Sequence, residues 1–82
     1  MALYFVDYDL RKQRDYQKLY EALKSLKAIR VLESLWAFTH ESTTCTLVRD
    51  HLMQFIDADD GLVVSQVMDW ASYKPLKSPP NT

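Results

Sequence analysis

Apolar and polar positions along this chain fall into successive segments with different periods. Residues 2–9 carry Leu3, Tyr4, Phe5 and Val6, which suit a pleated strand, and the run closes on Asp7 and Asp9. Between Arg14 and Lys27, Tyr16, Leu19, Tyr20, Leu23 and Leu26 recur at the spacing of one helix face. Asp15 near its start and Lys24 and Lys27 near its end complement the helix dipole. Residues 29–39, IRVLESLWAFT, are β-branched, aromatic or otherwise apolar for most of their length, and long for one strand. With neither Gly nor Pro they lack the usual chemistry of a tight hairpin, so the pattern predicts a strand bent or split near Glu33 and Ser34. A second helix, capped by Ser42 or Thr43, carries the stripe Cys45, Val48, Leu52, Phe55 and Ile56 and should end near Asp57. Gly61, the only glycine, follows DADD and precedes LVVSQVM, a turn and then a strand.

Strand, helix, one long or two short strands, helix and strand make a split βαβ pattern. The expected class is α+β, with two helices on one face of an antiparallel or mixed sheet in the ferredoxin-like manner. One domain is expected over residues 1–73, followed by a flexible proline-rich tail, KPLKSPPNT, over 74–82. A chain of 82 residues has a marginal core, and pairing with a second copy completes such cores, so a homodimer is expected. Trp70 and Tyr73 lie beyond the last intrinsic strand and are too apolar for a free tail, which marks them as dimer-interface residues.

Composition narrows the setting. A single cysteine, Cys45, excludes an internal disulfide and a cysteine-cluster zinc site. No charged-then-apolar leader opens the sequence and no run approaches the roughly 18 apolar residues of a membrane span, so a cytoplasmic protein without membrane contact is expected. The net charge of −1 conceals an asymmetry. From Arg11 to Arg30, seven cations face two acids; from Glu33 to Asp69, one cation faces seven acids. The basic half is a candidate phosphate-facing surface, and a solvated helix face is the plain alternative.

Asp7 and Asp9 share one face of the first strand, about 7 Å apart along the backbone. That spacing admits one hydrated divalent cation, since magnesium keeps several waters and takes only one or two carboxylates. Asp9 also suits a purely local role, accepting backbone hydrogen bonds where the loop begins. Asp7 within an apolar strand needs water, a cation or a donor. His40 and His51 show no ligand spacing, Cys45 lies on an apolar stripe, and DADD lacks the remaining ligands of a calcium loop. Trp36, Phe38, Trp70 and Tyr73 suit the core or a dimer seam better than base stacking.

The YDL of residues 8–10, the basic residues after it, RVLESLW at 30–36 and the closing DxDDGLVV resemble the small subunit of the CRISPR spacer-acquisition complex, often called Cas-two. The resemblance covers about residues 3–68, and the YxxDYDLRK-like opening is most similar to the SinR-like group, which shares its scaffold with virulence-associated protein D. It implies a ferredoxin-like homodimer in which Asp9 of both protomers flanks a metal, magnesium by preference, at the two-fold axis. It also assigns the family's arginine to Arg30, its serine to Ser34 and its aromatic to Trp36. Leu32, Glu33 and Ala37 depart from the family pattern.

Two functions follow as expectations. One is a metal-dependent endonuclease on RNA or DNA, with Asp9 as catalytic ligand, Asp7 beside it, and Arg11, Lys12, Arg14 and Arg30 holding phosphates. The other is a catalytically silent dimer that holds nucleic acid or docks a larger protein partner, because fold transfers more safely than activity.

Overall fold

A computed structural model describes residues 1–12 and 15–80. Its elements in chain order are β1 (Ala2–Asp9), α1 (Gln17–Ser25), β2 (Ile29–Leu32), β3 (Leu35–His40), α2 (Cys45–Met53) and β4 (Gly61–Val67). The four strands form one sheet in the order β2-β3-β1-β4, and every neighbouring pair is antiparallel. The chain is therefore α+β with a βαββαβ order.

Strand alternation divides β1 cleanly. Tyr4, Val6 and Tyr8 point to the helices and pack with Leu19, Leu23, Phe38, Val48 and Leu52 in the main core. Leu3 points to the other face, where it meets Val31 and Ala37, with Phe5, Leu35 and Val67 packed around them. Asp7 shares that second face but lies exposed, so its charge keeps its water.

The N-cap residue of α1 is Tyr16, whose side chain makes no cap hydrogen bond; Asp15 serves instead, its carboxylate accepting the Gln17 N–H at 2.9 Å. The helix ends in a Schellman arrangement. Lys27 N–H donates to the Lys24 carbonyl at 2.9 Å and Ala28 N–H to the Leu23 carbonyl at 3.1 Å. This places Lys27 at φ 58, a left-handed position that glycine usually fills. In α2 the cap is Thr44, whose Oγ1 accepts the Leu47 N–H at 3.2 Å, one residue beyond the expected Ser42 or Thr43. α2 stops at Met53 rather than near Asp57; Phe55 and Ile56 still reach the core from the turn that follows.

Residues 29–40 are two strands joined at Glu33 and Ser34, where the apolar run was expected to bend or split. Neither turn residue has a positive φ, so the mirror-image hairpin turns are not used. Instead the register shifts between Arg30 and Leu32, and this irregularity absorbs the mismatch between an ordinary turn and the twist of the pair.

Beyond β4, Trp70, Ala71, Tyr73 and Pro79 lie with Phe5, Val31, Leu32 and Leu35 around a cavity of about 150 Å³ on the helix-free face. The Leu76 N–H donates to the Val31 carbonyl at 2.7 Å, and Pro79 is buried. Among the described residues no helix is long and apolar enough to cross a membrane.

Candidate functional site

Asp9 is the last residue of β1, and its side chain is 70% exposed at the sheet end. Its neighbour Tyr8 points the opposite way and is almost wholly buried. The Tyr8 hydroxyl donates to the Glu33 carbonyl at 3.1 Å and accepts the Trp36 indole N–H at 3.0 Å. Arg30 closes the same junction, giving Nε and Nη2 to the Glu33 carbonyl at 3.0 and 2.7 Å and bringing Nη2 within 3.4 Å of the Tyr8 oxygen. Its guanidinium also lies over the Tyr20 and Trp36 rings, 5.1 and 5.4 Å from their centroids. The hairpin turn is thus held by side chains from β1, β2 and β3 in place of turn chemistry of its own. Burial raises the Tyr8 phenol above the ordinary tyrosine value, outweighing the Trp36 hydrogen bond and the Arg30 charge, which act the other way.

The basic segment after Asp9 meets the acidic turn before β4. Arg11 Nε donates to Asp9 Oδ2 at 3.0 Å, Nη1 to the Asp59 carbonyl at 2.8 Å, and its backbone N–H to Asp60 Oδ1 at 2.7 Å. Lys12 Nζ lies 2.8 Å from Asp59 Oδ2. Asp60 also accepts the Asp57 N–H at 2.8 Å, which ties the turn to itself. A Cβ on Gly61 would stand 3.1 Å from Arg11 Nη2, so the glycine leaves room for the guanidinium; its own φ is not positive. The Tyr16 phenol is raised above the ordinary tyrosine value, first by burial and then by the Asp60 carboxylate.

All the residues expected at the site except Arg14 have a place. Asp7 and Asp9 line one shallow concavity of about 220 Å³ with Arg11, Gly61 and Val63. Arg11 lines it and Lys12 does not, and both are paired with acids, which removes most of the positive field expected of them. Arg30 does not line that concavity; bonded to the hairpin turn, it shares a second open one of about 320 Å³ with Asp9, Leu10 and Ser34. Arg14 lies outside the described residues. Trp70 is 37% exposed and Tyr73 82%, both lining the cavity over the helix-free face. Trp36 and Phe38 belong to the core. His40 accepts the Ser42 N–H at 3.1 Å, and His51 stands edge-on to Phe55.

The carboxylates suit a hydrated cation only sparsely. Asp9 Oδ1 accepts no hydrogen bond from the described residues, and among these no three His, Cys, Asp or Glu side chains group as metal ligands. The chain offers Asp9 and Asp7, enough for magnesium with its waters and too little for a fully protein-made cage.

Sequence spacing missed two elements of this arrangement. One is the pairing of DADD with LRK, whose partners Arg11 and Asp60 stand 49 residues apart and meet only through the β1–β4 ladder. The other is a set of unpaired cations at the opposite end of α1, where Lys24 had an ordinary reading as a dipole partner. No family model matches the chain.

Proposed function

We propose that the protein is a ferredoxin-like homodimer that associates with nucleic acid, in the manner of the Cas-two and SinR-like scaffold. The observation that carries this reading is the coincidence of motif and structure: the Tyr-Asp pair falls at the last two positions of β1, with the tyrosine built into the core and the aspartate facing solvent. The strand order β2-β3-β1-β4 is the order such a scaffold requires. Dimerisation is supported by the helix-free face, where Val63 is 61% exposed and β4 is an open edge.

Cleavage is the second reading, favoured by the exposed Oδ1 of Asp9 at a sheet end that a two-fold copy can approach. In such a dimer the two Asp9 carboxylates, with Asp7 nearby, would hold magnesium. A bound magnesium would polarise a phosphoryl oxygen and lower the pKa of an attacking water. Arg11, hydrogen-bonded to Asp9 Oδ2, holds that carboxylate in one orientation and competes with a cation for it.

The experiment compares the wild type and Asp9→Asn on labelled RNA and duplex DNA across a magnesium and manganese series, with a melting curve for each. Loss of metal-dependent cleavage at an unchanged melting temperature supports cleavage at Asp9. Binding by both proteins with no cleavage by either supports the silent module, and equal cleavage by both removes Asp9 from the chemistry.

A further inference from the structure

Of the six described cations without a carboxylate partner, three gather at one place. Arg11, Lys12 and Arg49 each have a carboxylate within 3.0 Å. Lys24 and Lys77 have none among the described residues, and both line one open concavity of about 430 Å³. The rest of its wall is Arg30, Ala28, Ile29, Trp36 and Leu76; no carboxylate lines it. Three elements build the place: the last turn of α1 supplies Lys24, β2 supplies Arg30, and the tail supplies Lys77, held near by the Leu76 hydrogen bond to Val31.

We propose that this concavity binds a phosphate group of a polynucleotide backbone, which rests on the nucleic-acid reading above and moves its contact surface from Arg11 and Lys12 to Lys24, Lys77 and Arg30. Arg30 is already oriented by the Glu33 carbonyl and the two rings beneath it, and its Nη1 donates to none of the described residues. A guanidinium held in this way loses little freedom when it adds a phosphate. The apolar wall from Ala28, Ile29 and Leu76 strengthens attraction by displacing water. The C-terminal end of α1 opposes an anion with about half a negative charge, which three cations outweigh. Trp36 is only 4% exposed, so the site grips the backbone and offers no stacking platform for bases.

The test uses the full chain with fluorescein-labelled single-stranded RNA and duplex DNA at low salt, and inorganic pyrophosphate as a separate probe in proton–nitrogen correlation spectra. Lys24→Glu with Lys77→Glu should weaken polynucleotide binding by roughly tenfold or more and lower the salt slope by about one, since the neutralised phosphate is lost. Lys24→Gln with Lys77→Gln should fall between it and the wild type. Pyrophosphate should shift the Trp36 indole and the amides of Lys24 and Lys77. Wild-type binding that both double variants retain at full strength overturns the concavity while leaving the nucleic-acid reading in place. If the wild type binds no polynucleotide, that reading fails. Pyrophosphate shifts confined to these residues then uphold the anion site, and their absence overturns it.

Discussion

Tyr8 shows how much depends on one hydroxyl. Its oxygen joins the indole of Trp36, the guanidinium of Arg30 and the turn carbonyl of Glu33, all within 3.4 Å. Tyr8→Phe leaves the indole N–H without its acceptor in a buried place, so it should cost about 1–3 kcal/mol. For a domain of this size that lowers the melting temperature by roughly 4–8 °C per kcal/mol, measurable by circular dichroism. The pH dependence has a definite sign. Because the folded phenol titrates above its unfolded value, its stabilisation is complete below about pH 10 and is lost as pH rises through the folded value. Tyr8→Phe should therefore flatten the alkaline loss of stability, and an unchanged alkaline slope would contradict the assignment. The sequence marks Tyr8 only as part of the YDL run, and nothing in it names Glu33, Arg30 and Trp36 as its partners. Its role needs the β1–β3 register, which brings Ser34 and Trp36 beside it.

The elements themselves were largely legible, because period and face are local properties. The stripe Tyr16, Leu19, Tyr20, Leu23 and Leu26 marks α1, and alternation marks β1 to the residue. Ends were less so, since they depend on which backbone groups find partners. Thr44 takes the cap from Ser42 and Thr43, and a hairpin forms at Glu33 without glycine because Arg30 and Tyr8 supply its donors from outside. The end of α1 gives the sharpest test at this scale. Lys27 occupies the left-handed position of the Schellman arrangement, where a Cβ is unfavourable by roughly 1 kcal/mol. Lys27→Gly should raise stability by about that amount; a lower urea midpoint would mean that the lysine side chain makes a compensating contact.

At the scale of the whole molecule, charge and apolar surface are distributed by topology rather than by position in the chain. The sequence divides into a basic and an acidic half, yet β1 and β4 are neighbours and fold the two onto each other at Arg11, Lys12, Asp59 and Asp60. The candidate site was legible in Asp9 and Arg30 and illegible in Lys24 and Lys77, which lie 53 positions apart and meet only through the tail. The helix-free face depends on the same tail. Truncation after Met68 should uncover Phe5, Val31 and Leu35, lower the melting temperature, increase binding of a hydrophobic dye and weaken self-association in sedimentation. A full-length chain that sediments as a monomer at micromolar concentration would end the dimer reading. Unchanged melting and dye binding after truncation would show that residues 70–79 cover little.

The interior position of β1 also has a consequence for the order in which the molecule is made. β1 is synthesised before the other three strands of its sheet, and its two edges wait for β3 and β4, the latter not complete until Val67. At about 5–20 residues per second, the first strand spends seconds on the ribosome before its second neighbour exists. During that time Leu3, Tyr4, Phe5 and Val6 form a bare β-prone run able to pair with the same run of another nascent chain. Asp7 and Asp9 place two negative charges beside it, and two such runs laid side by side would bring like charges together. Two acids at the end of the run thus oppose pairing of the nascent strand with its own copies.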